Sequence, residues 1–173
     1  MRPTLAAFCI ASLLGGISFL HTSSAQSTTA PQSSASTVQF WTSNDLSQQA
    51  RGLLAQAPAS DGIASTTLTR LPNQYTMLIT RTRSGGAELH NQWCDYLIIL
   101  DGEGAELTGG TIVDRREQAD GEVRGTRLEG AQSQPLHKGD IVFIPAGTPH
   151  QTIEPPGKSI TVFVIKSAAP AHP

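Results

Sequence analysis

The chain has 173 residues, with Lys+Arg 12 against Asp+Glu 14 and a formal net charge of -2. That length suits one domain able to bury roughly two thirds of its unfolded surface, with no need of a second. No basic run builds the cationic footprint that nucleic acid requires, so nucleic-acid binding is excluded as an expectation.

In chain order, residues 1–25 read as an export signal. Arg2 supplies the positive start, Leu5 to Leu20 an apolar stretch, and Ser23-Ser24-Ala25 a small-residue cleavage site. The stretch is about 16 residues, below the ~20 of a spanning helix. Ser12, Gly15, Gly16 and Ser18 break it further, so no stable membrane anchor is expected. Cys9 lies inside the signal, and Phe8 before it is too bulky for a lipid-modified site. Cleavage after Ala25 leaves Cys94 as the one cysteine, so no internal disulfide forms even in an oxidising compartment. With no Asn-x-Ser/Thr acceptor, the expected location is periplasmic or secreted.

Residues 26–37, QSTTAPQSSAST, are too polar and simple to pack and read as a disordered linker. Residues 38–70 read as a helix and a strand packing on the main body. The helix is predicted over 44–56, where Leu46, Ala50, Leu53 and Leu54 repeat at i, i+4, i+7 and i+8 behind a capping Ser43. From Ile63 onward, short β-branched runs closed by Gly, Pro, Asn or Asp predict an all-β sandwich or barrel, with its body over 71–167. YLIIL, IVFI and ITVFVI are apolar on both faces, so something must cover the outer wall: the helix in part, and a second copy of the chain for the rest. A homodimer is therefore expected. Residues 109–135, rich in charge and glycine with a turn at Asp120-Gly121, read as an excursion between two sheet halves. Its Arg115-Arg116-Glu117 cluster reads as a solvated face. AAPAHP closes the chain as a tail over 168–173, and His172 in it has no fixed geometry.

The chemistry gathers in two places. His90 and Gln92 stand two apart and point to one side of a strand, and the next strand of a hairpin returns Asp95 beside them. His150 follows Pro145-Ala146-Gly147-Thr148-Pro149, whose prolines and glycine fix the start of another strand. Two neutral imidazoles and a carboxylate suit one divalent metal ion (Fe, Mn, Zn or Ni), with open positions for water and substrate. Gln92 adds a neutral oxygen or a hydrogen bond to bound water. Tyr96 alternates outward to core or interface. Cys94 reads as a small buried thiol or a soft ligand, and Trp93 packs against the turn. Arg81 and Arg83 share a face, either as an outward salt-bridged pair or meeting an anionic substrate. His137 reads as exposed.

The spacing Gly139, five residues, Pro145, one residue, Gly147, two residues, His150 resembles the second motif of the cupin superfamily, with Glu154 where an Asn is usual. The first cupin motif is matched more loosely. His90-x-Gln92 stands for His-x-His and Asp95 for Glu, followed by six residues and Gly102, while Gly85 to His90 and Gln92 to Asp95 are each one residue short. His90, Trp93 and Asp95 are similar to the first motif of small exported bacterial cupins. The resemblance spans roughly Tyr75 to Lys166. It implies a cupin-type jelly-roll β-barrel with a metal at its centre, held by His90, Gln92, Asp95 and His150. Two functions are open: an enzyme acting on a small oxygenated molecule (dioxygenase, isomerase or lyase chemistry), or a non-catalytic module binding a sugar or organic acid.

Overall fold

A computed structural model describes residues 38–170. The expected export signal, the segment 26–37 and His172 lie outside those residues. Helix α1 (Ser43–Gln56) begins one residue earlier than predicted. Its cap is Thr42 rather than Ser43. The Thr42 hydroxyl accepts from the Asp45 amide at 3.2 Å, and the Asp45 carboxylate accepts from the Thr42 amide at 3.0 Å, a reciprocal box that satisfies two otherwise free donors. Pro58, which has no N–H to give, stands two residues past the helix end, and the chain tightens into a 3₁₀ turn at Ala57–Ser60.

Twelve strands follow: β1 (Ile63–Leu71), β2 (Gln74–Arg81), β3 (Ala87–His90), β4 (Trp93–Thr108), β5 (Thr111–Val113), β6 (Arg116–Glu117), β7 (Glu122–Gly125), β8 (Arg127–Glu129), β9 (Gln132–His137), β10 (Ile141–Ile144), β11 (His150–Ile153) and β12 (Ile160–Ala168). Ten of them form two antiparallel faces that share β4. One runs β1-β2-β12-β4-β10 and the other β9-β4-β11-β3-β7-β6, with β5 and β8 paired apart. The result is an all-β barrel, one of the two forms the strand pattern left open, and of the jelly-roll type that the resemblance implies. β4 passes from one face to the other at Gly102. There φ is +84°, and an added Cβ would stand 2.0 Å from the Ser159 carbonyl oxygen, so only glycine fits the bend.

Alternation along the strands sorts the residues. Leu97, Ile99, Ile160, Val162 and Val164 turn into the barrel from the first face and meet Leu136 and Ile144. On the outer side of that face, Leu53 and Ala57 of the helical segment bury Ala64 and Leu78, which is why these strands are apolar on both sides. Trp41 adds cover over Phe163, with ring centroids 6.2 Å apart. Farther along, Tyr96 and Phe143 stack at 4.7 Å and remain exposed together with Ile141. Tyr96 thus faces outward, as its alternation from Asp95 requires.

Three expectations change. The β3–β4 connection is not a hairpin: β3 pairs with β11 and β7 while the start of β4 pairs with β10 and β12, so Asn91-Gln92 carry the chain across from one face to the other. The excursion at 109–135 supplies β7, which lies against β3 in the barrel wall, around the expected turn at Asp120-Gly121. The final strand runs through Ala168, which pairs with Trp93, and the Ala169 amide donates to the Gln92 carbonyl at 2.8 Å.

Candidate metal centre

Two neighbouring strands of one face and the turn before β11 build the centre. β3 alternates Glu88 and His90 into the barrel, and β11 begins with His150 paired to Glu88. Gly147, at φ +80°, turns its amide onto the His90 carbonyl at 2.8 Å, so the Pro-x-Gly turn that introduces His150 is anchored on the other histidine's backbone. The rings of His90 and His150 stand 5.1 Å apart and both are buried, at 3% and 6% exposure.

Each ring is oriented by its far nitrogen. His90 Nδ1 lies 2.6 Å from the Glu122 carboxylate, and His150 Nδ1 donates to the Thr148 carbonyl at 2.9 Å. With the proton on Nδ1 in both, the Nε2 atoms carry lone pairs. His90 Nε2 is buried without a hydrogen-bond partner; the Glu88 carboxylate at 3.3 Å and Asp95 at 3.5 Å are near but not in hydrogen-bonding alignment. One ligand atom each from Glu88, His90 and His150 lies within 4.8 Å of the others. A divalent ion fits this donor set: two neutral imidazoles, one carboxylate, and an orphaned nitrogen aimed between them.

Charge favours the same states. Burial lowers the His150 pKa and keeps its ring neutral. Burial alone would raise Glu88, but a hydrogen bond from His90, when its Nε2 carries a proton, and the Arg124 and Arg81 guanidiniums outweigh that and hold its carboxyl well below the usual carboxylate range, the guanidiniums acting in the same direction in either tautomer. Both groups are thus in the deprotonated form that a metal takes.

Asp95 reaches the same space from the opposite face, with Oδ2 3.7 Å from His150 Nε2. Both its oxygens are held at 2.6 Å by Lys166 Nζ, which β12 sends inward from the position paired directly with Asp95 on β4. Gln92 does not join them. It is exposed in the two-residue crossing between the faces, where His90 and Gln92 no longer share a strand and so no longer share a side. Cys94 is a buried thiol whose sulfur accepts from the Ala146 amide at 3.4 Å. Trp93 packs edge-on against Tyr75 at 5.1 Å. Arg83 pairs with Asp61 near the surface, whereas Arg81 turns into the barrel, 3.9 Å from Glu88; the two do not form one outward pair. His137 is exposed beside Asp140, and Arg115 pairs with Glu117 at the surface.

Sequence reasoning missed Glu88, Glu122, Arg124 and Lys166. Glu88-x-His90 was open to the two-residue alternation that had been applied to His90 and Gln92. Arg124, 3.2 Å from Glu88 and 2.9 Å from Glu122, arrives on the strand hidden in the charged excursion, and no local signal marks it.

A fourth carboxylate lies deeper. Glu106 on β4 is 1% exposed; one oxygen accepts from Thr152 Oγ1 at 2.8 Å and the other has no partner. Burial pushes its pKa up to about 7, against 4.5 ordinarily. At about 1.4 kcal/mol for each pH unit, ionising it in the fold costs roughly 3 kcal/mol. Because the folded pKa is raised, this group's contribution is fully present below pH 4.5, falls as pH rises, and levels off above about 7. Glu106→Gln keeps the shape and removes that decline. In urea unfolding the variant gains on the parent by a few kcal/mol between pH 5 and pH 8. An unchanged difference across that range would show that Glu106 is not held in this way.

Fold and site together define a jelly-roll β-barrel protein with a buried histidine–carboxylate centre. Among solved structures, the chain is similar to the cupin domain of Cnp3 from Schizosaccharomyces pombe, at 8% identity over 61% of this chain and 64% of that one, TM-score 0.47. It is also similar to the polyketide cyclase RemF from Streptomyces resistomycificus, at 15% identity over 61% and 65%, TM-score 0.45. A third is KdgF from Halomonas sp., at 16% identity over 61% and 81%, TM-score 0.43. The match spans less than two thirds of the first two chains. At these identities the likeness concerns the fold and not the chemistry of the centre. No protein-family model and no curated protein matches the sequence.

Proposed function

We propose that this protein holds one divalent metal ion (Fe, Mn, Zn or Ni) in its barrel and acts there on a small oxygenated molecule. The observation that carries the reading is the convergence of two imidazole Nε2 lone pairs, freed by hydrogen bonds at both Nδ1 atoms, upon the Glu88 carboxylate. His90, His150 and Glu88 would hold the ion, with Asp95 close enough to exchange Lys166 for it. Bound there, the ion supplies a Lewis acid or an oxygen-activating centre. The chain's own part is to fix both rings, through Glu122 and the Thr148 carbonyl, and to exclude bulk water with Ile79, Leu97, Val162 and Val164.

Metal analysis of untagged protein tests the proposal. About one equivalent is expected, and less than about a tenth after reloading would end it. The space beside the centre is only about 50 Å³, which favours a second reading: a module that binds a small ligand without turning it over. Metal binding with no conversion of any bound ligand would select that reading.

Two further expectations enter the proposal. Export to the periplasm or medium rests on the sequence of residues 1–25 and is tested by the N-terminal residue of protein recovered from its host. A homodimer is supported by Tyr96, Ile141 and Phe143, exposed together on the outer face at the edge strand β10, with Ile141 68% and Phe143 50% exposed. Light scattering should show a dimer that Phe143→Asp converts to monomer, and a parent already monomeric at micromolar concentration would remove it.

A further inference from the structure

We infer that the cavity beside the histidine–carboxylate centre is a subsite for a small carboxylate, seated on the Arg81 guanidinium. Arg81 ends β2 and turns inward, its side chain 12% exposed. Its ion pair with Glu88 is 3.9 Å long, beyond hydrogen-bond range. The other cations nearby are engaged: half-buried Arg124 bridges Glu88 and Glu122, and Lys166 is held by both oxygens of Asp95. A guanidinium offers five donors in a planar fork that matches two carboxylate oxygens, and this one lines the cavity.

The seat is shaped for it. Gly85 lies so close that an added Cβ would stand 2.3 Å from Arg81 Nη1, and the Gly85 carbonyl and amide are already occupied by Gln151 and Thr152. The backbone there positions the guanidinium without competing for its donors. Ile79, Leu97, Val162 and Val164 also line the cavity and give it an apolar wall suited to the carbon end of the ligand. The cavity volume, about 50 Å³, suits a carboxylate head or an acid of one or two carbons. Glu106 and Glu154 also lie within reach of the Arg81 charge, so the charges around the guanidinium do not oppose the seat but do not define it either; the fork's free donors do, and they do not depend on the metal reading.

The test is calorimetric titration of the full chain, metal-free and Zn²⁺-treated, with sodium acetate, acetamide and inorganic phosphate, and zinc content measured for each sample. Acetate is expected to bind and acetamide not. In metal-free protein, where a change at Glu88 cannot act through the ion, Arg81→Met should weaken acetate about ten- to hundredfold, and Arg81→Lys should fall between. Should Arg81→Met fail to fold, Gly85→Ala keeps every charge while displacing the guanidinium, and should weaken acetate as well. Arg81-dependent acetate binding by protein that takes up no zinc upholds the subsite while ending the metal proposal. Acetate binding that survives Arg81→Met, equal binding of acetamide, tighter binding of phosphate, or no acetate binding at tens of millimolar each overturns the inference.

Discussion

Replacing His150 with alanine should empty the centre of metal. On the proposed reading the ring is one of two imidazole ligands, and its neutral state and orientation are already set by burial and by the Thr148 carbonyl. Without it, Glu88 and His90 remain, too few to retain a transition metal through purification. Metal content should fall from about one equivalent to below about a tenth. His90→Ala should do the same. Glu122→Gln, which weakens the hydrogen bond orienting His90 and lowers its basicity, should reduce affinity by about ten- to hundredfold while leaving the ligands in place. Gln92→Ala serves as the contrast, because that side chain is exposed in the crossing between faces, and its metal content should equal the parent's. Full metal retention in His150→Ala, or loss in Gln92→Ala, would refute the ligand assignment.

The largest stability effect is expected at Lys166. Its ammonium meets both Asp95 oxygens at 2.6 Å, and both residues are buried, so Lys166→Met leaves a carboxylate inside the barrel with no partner. Removing one member of such a pair costs about 3–5 kcal/mol, because the remaining charge keeps its desolvation penalty and loses its compensation. That corresponds to a melting temperature lower by roughly 10 °C for a chain of this size. Replacing both, as Asp95→Asn with Lys166→Met, should recover most of the loss. In metal-loaded protein the single variant should lose less, since Asp95 lies 3.5 and 3.7 Å from the two Nε2 atoms and can turn to the ion. A loss below about 1 kcal/mol in metal-free Lys166→Met would mean the pair is not closed in solution as described.

How much of this was legible beforehand follows from the range of each signal. The Pro-x-Gly turn before His150 is a local device: φ at Gly147 and the rigidity of two prolines act within six residues, so the turn, the strand after it and the inward histidine could be read in line. Helix α1 was readable for the same reason, its cap displaced by one residue because Thr42 had Asp45 three positions on to complete the box. Gln92 misled because two-residue alternation holds only while a strand continues, and β3 stops at His90. Whether a short link joins two strands of one sheet or crosses between sheets depends on partners dozens of residues away.

Strand alternation and turn chemistry are properties of adjacent residues, and they were enough for the all-β class and the inward histidines at 90 and 150, but not for Asp95, which was expected beside them through a hairpin and arrives instead from the opposite face. Tertiary structure alone decided which groups share the centre. Glu88, Glu122 and Arg124 meet there through the pairing of β3 with β7 and β11, and Lys166 reaches Asp95 across β12 and β4. Register between distant strands is set by burying both faces at once, which no single segment encodes.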